Sequence, residues 1–157
     1  IWPNGLYLKV LTTSQYGSTN RLVANYQRAS NLYPKEFKSA LDQFLGITQR
    51  LFNAWQSEDV DLIIDLLRAY DVQIKKLDKI GSIGIYTQVH ADIQNIASRH
   101  NVFYKPSGAG GGDIGLAFSS SLNALRDFSD TIDTDARNIG CLDETTVRLT
   151  DCFQFFF

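Results

Sequence analysis

The chain has 157 residues, of which 44% are hydrophobic and 20% charged, and its formal net charge is −2. This length suits one domain, and this composition is typical of a globular protein. A weakly acidic chain offers no basic surface for nucleic acid or an anionic membrane, and no apolar run approaches the roughly 18 residues of a transmembrane helix. We therefore expect no nucleic-acid partner and no membrane partner.

The first half of the chain predicts one strand followed by three helices. Apolar residues alternate in "GLYLKVL", which places Leu6, Leu8 and Val10 on one face of a strand. Farther on, apolar residues recur at helical spacing, and Gly81 is a typical helix stop. The predicted elements are a strand over 5–11, a helix from Ser18 or Thr19, a helix from Pro34 to about Ser57, and a helix capped by Ser57 that ends at Gly81.

The second half predicts shorter elements around a glycine-rich loop. These are a helix capped by Thr87 that ends near Asn101, the strand "VFYK", the glycine loop, the strand "IGLAF", a helix over 119–138 and a last strand over Thr145–Leu149. Strands thus come before and after a block of helices, with no repeat and no internal linker. We predict an α+β fold in which several helices pack on one face of a small sheet.

The loop "KPSGAGGGDIGLAFS" is the least ordinary stretch of the sequence. Its glycines admit positive φ and leave no Cβ in the way of a ligand, and consecutive amide groups in such a turn can converge on an anion. Ser107 adds a hydroxyl donor and Lys105 a cation, whereas the Asp113 carboxylate would repel a phosphate unless a cation intervenes or it caps the turn. The glycines are Gly108, Gly110, Gly111, Gly112 and Gly115.

Known phosphate motifs do not account for this loop. No Gly-Lys-Ser/Thr follows it, so it is not a P-loop, and it does not open a helix at the spacing of a dinucleotide-binding fingerprint. From the residues alone, two interpretations stay open. The loop either contacts a ligand or is a flexible connection between two strands.

The motif "KPSGAGGGD" resembles the third conserved motif of the GHMP kinases, in the form found in bacterial phosphomevalonate kinases. About ninety residues upstream, "TTSQYGSTNRLV" is similar to that family's Trp-Thr-Gly-x-Pro-Ala-Ser-Thr loop, with Thr13, Ser18 and Thr19 in matching positions. The order of helices and strands also matches the family's C-terminal half. The resemblance implies a ferredoxin-like C-terminal domain and covers essentially the whole chain.

Several positions depart from the family pattern. In the upstream loop, Thr12 replaces the tryptophan, Ser14 the glycine, Tyr16 the proline and Gly17 the alanine, while Ile114 stands where a cysteine is common. These changes affect substrate contacts by the upstream loop and leave the glycine loop intact.

The resemblance also implies roles for the loop residues. Ser107, Gly108 and Ala109 would hold the phosphate of phosphomevalonate, Gly110 to Gly112 would shape the loop, and Ser18 would contribute a hydroxyl. The implied reaction is ATP-dependent phosphorylation of phosphomevalonate to diphosphomevalonate in isoprenoid synthesis. The alternative is a non-catalytic domain of the same ancestry that binds a phosphate compound or assembles with other chains.

In GHMP kinases the ATP-phosphate loop, the catalytic aspartate and the catalytic lysine lie in the N-terminal half. This sequence contains no Gly-Leu-Gly-Ser-Ser loop and no methionine, even at position 1. We therefore expect one domain over residues 1–157, an incomplete and inactive piece with no catalytic residue of its own. The complete enzyme would use ATP and Mg²⁺, which this chain alone would not bind. A missing N-terminal kinase domain is the expected partner, and a homodimer stays open.

The remaining candidates favour structural roles. His90 and His100 are read as surface or helix-end residues rather than a metal pair, so no metal site is expected. The acids Asp127, Asp130, Asp133 and Asp135 are read as a solvated helix face. Cys141 and Cys152 are read as free thiols in a reducing compartment, which places the protein in the cytoplasm. The tail "DCFQFFF" receives no assignment.

Overall fold

The computed structural model describes residues 2–13, 17–108, 110–112 and 114–139, the last five by their backbone alone. Within these residues the order of elements follows the expected order. The elements are β1 (Tyr7–Thr12), α1 (Thr19–Leu32), α2 (Pro34–Gln56), α3 (Val60–Gly81), α4 (Gln88–Arg99), β2 (Phe103–Pro106), β3 (Ile114–Ser119) and α5 (Leu122–Ile139). The strand predicted over Thr145–Leu149 and both cysteines lie outside the described residues.

The three described strands form one antiparallel sheet in the order β1-β3-β2. The central strand β3 pairs with β1 from Tyr7 opposite Ser119 to Thr12 opposite Ile114. Strand β2 pairs with β3 up to Pro106, and an outer strand tolerates proline because its missing N–H breaks no ladder bond on the open side. The α+β fold predicted from the sequence is confirmed.

Helices cover both faces of the sheet, so the expectation of helices on one face is wrong. Alternate residues of each strand enter two separate apolar clusters: Tyr104 and Ala117 face α4 and α5, whereas Phe103 and Phe118 face α2 and α3. The strand sequences "VFY" and "LAF" are apolar at consecutive positions, which is the pattern of strands buried on both faces.

Helix boundaries agree with the sequence to within about three residues. The helix predicted from Ser119 begins at Leu122, Thr87 precedes α4 without a side-chain cap bond, and the cap predicted at the junction of α2 and α3 is wrong. Ser18 caps α1 by accepting from the Arg21 amide, and Pro34 occupies the first turn of α2. The prediction that Ser57 caps α3 is wrong. It ends α2, and Asp59 caps α3 by accepting from the Leu62 amide at 3.1 Å. Both carboxylate and hydroxyl oxygens suit this position, so the sequence allowed either residue.

A third apolar cluster joins helices α1, α2 and α3 to the chain that follows α3. It contains Leu22, Ala29, Phe37, Ala40, Leu77 and Ile83. At Gly81 a Cβ would come within 2.5 Å of the Ala29 side chain, so the glycine lets α3 approach α1 closely. Among the described helices, none is both long enough and apolar enough to cross a bilayer. Ile85 packs against this third cluster and also contacts the glycine loop.

Candidate functional site

The glycine loop joins β2 to β3 at the end of the sheet where β1 also finishes. The Ser107 amide donates to the Ile114 carbonyl at 2.9 Å, which closes the hairpin on which the loop stands. On the same side, Gly17 precedes α1, and a Cβ there would lie 2.7 Å from the Gly110 carbonyl oxygen. The fold therefore brings together the two segments that the sequence singled out, although ninety residues separate them.

One half of the loop, Gly110 to Gly112, is buried and fixed by the protein itself. All three residues have positive φ, from 79° to 130°. The Gly111 amide donates to the Ile85 carbonyl at 2.9 Å, and the Gly110 amide to the Ser107 carbonyl at 3.3 Å. A Cβ on Gly110 would lie 2.6 Å from the Ile85 side chain and 2.9 Å from its carbonyl oxygen. Glycine is thus required here by backbone conformation and by close packing.

The other half of the loop, Ser107 and Gly108, faces solvent. Ser107 is half-buried and Gly108 is exposed. Gly108 has φ of 65°, and a Cβ built on it would meet no atom within 4 Å. The space beside Gly108 is therefore open to a ligand. Ala109 and Asp113, two of the predicted site residues, lie outside the described residues, and their roles stay predictions.

Ser18 lies at the start of α1, beside the loop, and is exposed. Its Oγ accepts from the Arg21 amide at 3.4 Å. A serine hydroxyl that accepts one bond still has its own hydrogen to donate, so the cap leaves the hydroxyl able to contact an anion. The predicted contribution of Ser18 is compatible with this geometry.

Lys105 is directed at its own strand rather than at open solvent. Its Nζ donates to the Pro106 carbonyl at 2.6 Å. Burial lowers the pKa of the Lys105 ammonium, and the charge of Asp71 opposes this shift. The ammonium therefore stabilises the end of β2 in this structure, and contact with a phosphate would require the side chain to turn.

The turn formed by residues 82–86, here called the 82–86 turn, was not predicted to belong to the site. It supplies the Ile85 carbonyl that accepts from the glycine loop. Asp78, in the last turn of α3, accepts from the amides of Gly84, Ile85 and Tyr86 at 2.7, 2.9 and 3.0 Å. An acidic residue is unfavourable beside the negative end of a helix dipole, and this was the signal in the sequence that could have identified Asp78.

A buried carboxylate holds the far end of the 82–86 turn. The Tyr86 hydroxyl donates to Asp71, which is only 4% exposed, and Lys75 forms an ion pair with Asp71 at 2.9 Å. Lys75 also lies over the Tyr86 ring, 5.3 Å from its centre. Burial first, and then the hydrogen bond and charge of Asp71, raise the pKa of the Tyr86 phenol well above its usual range. The phenol therefore remains a hydrogen-bond donor at neutral pH.

The other candidates take structural positions. His90 is fully buried in the first turn of α4, with Nδ1 2.8 Å from the Tyr104 hydroxyl, so it is a helix-end residue but not a surface one. His100 ends the same helix and contacts Thr131. The side chains of Asp127, Asp130 and Asp133 are exposed on α5, as expected for a solvated face. Across the described part of the chain, no three histidine, cysteine or acidic side chains gather as a metal site.

The chain is similar to a curated phosphomevalonate kinase. No protein-family model matches it. The match is to phosphomevalonate kinase from Streptomyces sp. (strain CL190), with 28% identity over 127 residues. This match covers 81% of the chain and 34% of the relative, so the chain spans about a third of the length of that relative.

Three solved structures share the fold. The Lin0012 protein from Listeria innocua has a TM-score of 0.77 at 21% identity, over 86% of this chain and 37% of that one. L. major mevalonate kinase in complex with R-mevalonate has a TM-score of 0.73 at 22% identity, over 82% and 38%. Streptococcus pneumoniae phosphomevalonate kinase in complex with phosphomevalonate and AMPPNP has a TM-score of 0.69 at 18% identity, over 85% and 38%.

These matches confirm the resemblance to phosphomevalonate kinase, for which the glycine motif was the strongest evidence in the sequence. The solved structures also confirm the α+β architecture.

Proposed function

We propose that this chain is the substrate-side domain of an ATP-dependent phosphomevalonate kinase, and that the open half of its glycine loop binds the phosphate of phosphomevalonate. One observation carries the proposal: the loop is divided into a buried, hydrogen-bonded half and an exposed half. The buried amides of Gly110 and Gly111 are already used within the protein. At the open corner formed by Ser107 and Gly108, Ser107 is half-buried, and Gly108 is exposed with free space beside it.

The chemistry of the reaction suits neutral donors at this corner. The γ-phosphoryl group of ATP is transferred to a phosphate oxygen of phosphomevalonate, which gives ADP and diphosphomevalonate. Such transfers depend on positioning and charge stabilisation more than on covalent help from the protein. The Ser107 hydroxyl and the Gly108 amide donate to the acceptor phosphate and fix the direction of its attacking oxygen. The Ser18 hydroxyl contributes from the start of α1.

The remaining parts of the reaction belong to a partner. An N-terminal kinase domain would supply the ATP-phosphate loop, the catalytic aspartate and lysine, and a site for Mg²⁺, which would offset the charge of the ATP phosphates. The 157-residue chain then has no phosphotransfer activity by itself and binds phosphomevalonate weakly, because the charges of the other domain are absent. ATP alone is expected to leave this chain unchanged.

The proposal is tested by titrating the ¹⁵N-labelled chain with (R)-5-phosphomevalonate, mevalonate and inorganic phosphate. We expect phosphomevalonate to shift the amide signals of Ser107 and Gly108 and to bind more tightly than mevalonate, which lacks the phosphate. Removing the hydroxyl in Ser107→Ala should weaken binding by about tenfold, the effect of one hydrogen bond to a charged group. The signals of Gly110 and Gly111 should move less.

A matched pair of glycine substitutions separates binding from stability. Gly108→Ala and Gly5→Ala each place a methyl group in open space at a positive φ, 65° and 82°. Gly5 precedes β1 at the opposite end of the sheet from the loop, because Tyr7 pairs with Ser119. Both variants should lose similar stability, and only Gly108→Ala should lose phosphomevalonate binding. Equal binding by both variants, or wild-type binding of phosphomevalonate no tighter than of mevalonate, would contradict the proposal.

A further inference from the structure

We infer that Asp78 is a positioning residue for the glycine loop, acting through the 82–86 turn without touching the ligand. The Asp78 carboxylate accepts hydrogen bonds from three successive backbone amides of the turn. The Ile85 carbonyl of that turn then accepts from Gly111. Four hydrogen bonds therefore connect Asp78 to the buried half of the loop. Asp78 is the only residue that takes part in them through its side chain.

Two residues of the turn adopt backbone conformations that this carboxylate helps to stabilise. Ser82 and Gly84 have positive φ, 47° and 91°, and for Ser82 this backbone conformation is unfavourable. Three successive amides directed at the same carboxylate require an acceptor there, and hydrogen bonds to an ionised acceptor are about twice as strong as neutral ones. The Asp78 carboxylate supplies that acceptor and so holds Ser82 and Gly84 in these conformations.

Contacts with α1 and with the glycine loop couple the position of the 82–86 turn to the position of the loop. The Asn25 side chain of α1 donates to the Ile83 carbonyl at 3.0 Å. A Cβ on Gly110 would lie 3.0 Å or less from three atoms of Ile85. The Gly110 backbone is therefore packed against Ile85 so closely that a shift of the turn must move the loop. The open corner at Ser107 follows because the Gly110 amide donates to its carbonyl.

The inference is tested without ligand by amide hydrogen exchange of Gly111 in Asp78→Ala, Asp78→Asn and Asp59→Ala. Asp59 is the matched control, because it caps the opposite end of α3 through one side-chain bond, to the Leu62 amide. At equal global stability, set with urea, we expect Gly111 to exchange about ten- to a hundredfold faster in Asp78→Ala than in Asp59→Ala. Asp78→Asn retains one oxygen acceptor and should give an intermediate rate.

Two results would overturn the inference. One is a Gly111 exchange rate that is the same in Asp78→Ala and Asp59→Ala at equal global stability. The other is full wild-type protection in Asp78→Asn, which would show that the carboxylate is not what holds the turn. If Asp78→Ala does not fold, Asp78→Asn against Asp59→Ala decides the matter by the same comparison.

The consequence for ligand binding rests on the proposed function and is read separately. We expect Asp78→Ala to weaken phosphomevalonate binding about tenfold, whereas Asp59→Ala leaves it unchanged. If the wild-type chain binds no phosphomevalonate, the proposed function fails, and hydrogen exchange of Gly111 still decides the role of Asp78. Faster exchange of Gly111 with unchanged phosphomevalonate affinity would overturn the link from the turn to the open corner.

Discussion

Gly110→Ala tests whether the buried half of the glycine loop is part of the folded framework. The added methyl group would lie 2.6 Å from the Ile85 side chain, 2.9 Å from the Ile85 carbonyl oxygen and 3.0 Å from its Cα. Two of these atoms belong to the backbone, and Asp78 holds that backbone in place through the Ile85 amide. Rotation of the Ile85 side chain alone therefore cannot relieve the clash with the methyl group.

The cost follows from three effects. Placing a Cβ at φ of 79° lowers the free energy of unfolding by about 1 kcal/mol. Overpacking against Ile85 lowers it by about 1–3 kcal/mol more. Loss of the hydrogen bond from Gly111 to Ile85, when the loop shifts, lowers it by about 1 kcal/mol. We therefore expect Gly110→Ala to reduce the free energy of unfolding by about 3–5 kcal/mol. Gly108→Ala, which has the first effect only, should cost about 1 kcal/mol.

Urea denaturation followed by circular dichroism measures both free energies. Thermal denaturation should agree, with a midpoint lowered by roughly 10 °C in Gly110→Ala and about 3 °C in Gly108→Ala, since 1 kcal/mol corresponds to about 2–4 °C at this chain length. Equal losses in the two variants would refute the division of the loop into a structural half and an open half. So would a Gly110→Ala variant as stable as the wild type.

Further predictions concern the framework around the site. Gly46→Ala, on the exposed side of α2 with no atom within 4 Å of the new methyl group, should raise the free energy of unfolding by about 0.5–1 kcal/mol in urea denaturation; a loss would show an unnoticed contact. Gly115→Ala should lower it by about 2–4 kcal/mol, because its Cβ would fall on the Tyr104 ring and hydroxyl; a neutral effect would mean that the ring moves freely. Burial lowers the pKa of the Lys9 ammonium, and the charges of Asp133 and Asp130 oppose this shift. As the pH approaches the ordinary lysine pKa of 10.5, Lys9 therefore binds fewer protons in the folded state than in the unfolded state. Stability measured from pH 7 to 10 should therefore rise in the wild type relative to Lys9→Met, and parallel pH profiles would contradict this assignment.

Local patterns in the sequence predicted most of the elements and the hairpin that carries the glycine loop. Helical spacing of apolar residues, Ser18 as a cap and Pro34 in a first turn each depend on residues near in sequence. The same reasoning placed Leu6, Leu8 and Val10 on one face of the first strand. Leu6, which directly precedes β1, and Leu8 both pack against α2 and α3. Local patterns succeeded because these elements satisfy their own backbone and present one consistent apolar face.

The features that the sequence did not predict depend on distant partners. Lys9 is buried on the opposite face of β1 because Ala117 across the strands is small and Ser129 of α5 accepts from its ammonium. Asp78 became part of the site through backbone amides, which carry no sequence signature of their own. The pairing of Gly17 with Gly110 joins segments about ninety residues apart. No periodicity can report such contacts.

The segment from Gly110 to Gly112 is held in place by the rest of the protein, and this has a consequence for the engineering of ligand specificity. Ordering a backbone residue costs about 1–2 kcal/mol of conformational entropy, and for these residues that ordering takes place when the protein folds rather than when a ligand arrives. Ser107 and Gly108 can then be varied on a scaffold that keeps its shape. On the proposed function, a library confined to these two positions would sample new ligand preferences at a cost of about 1 kcal/mol for a side chain placed at Gly108. A library that extends into the buried glycines would select mainly for survival of the domain.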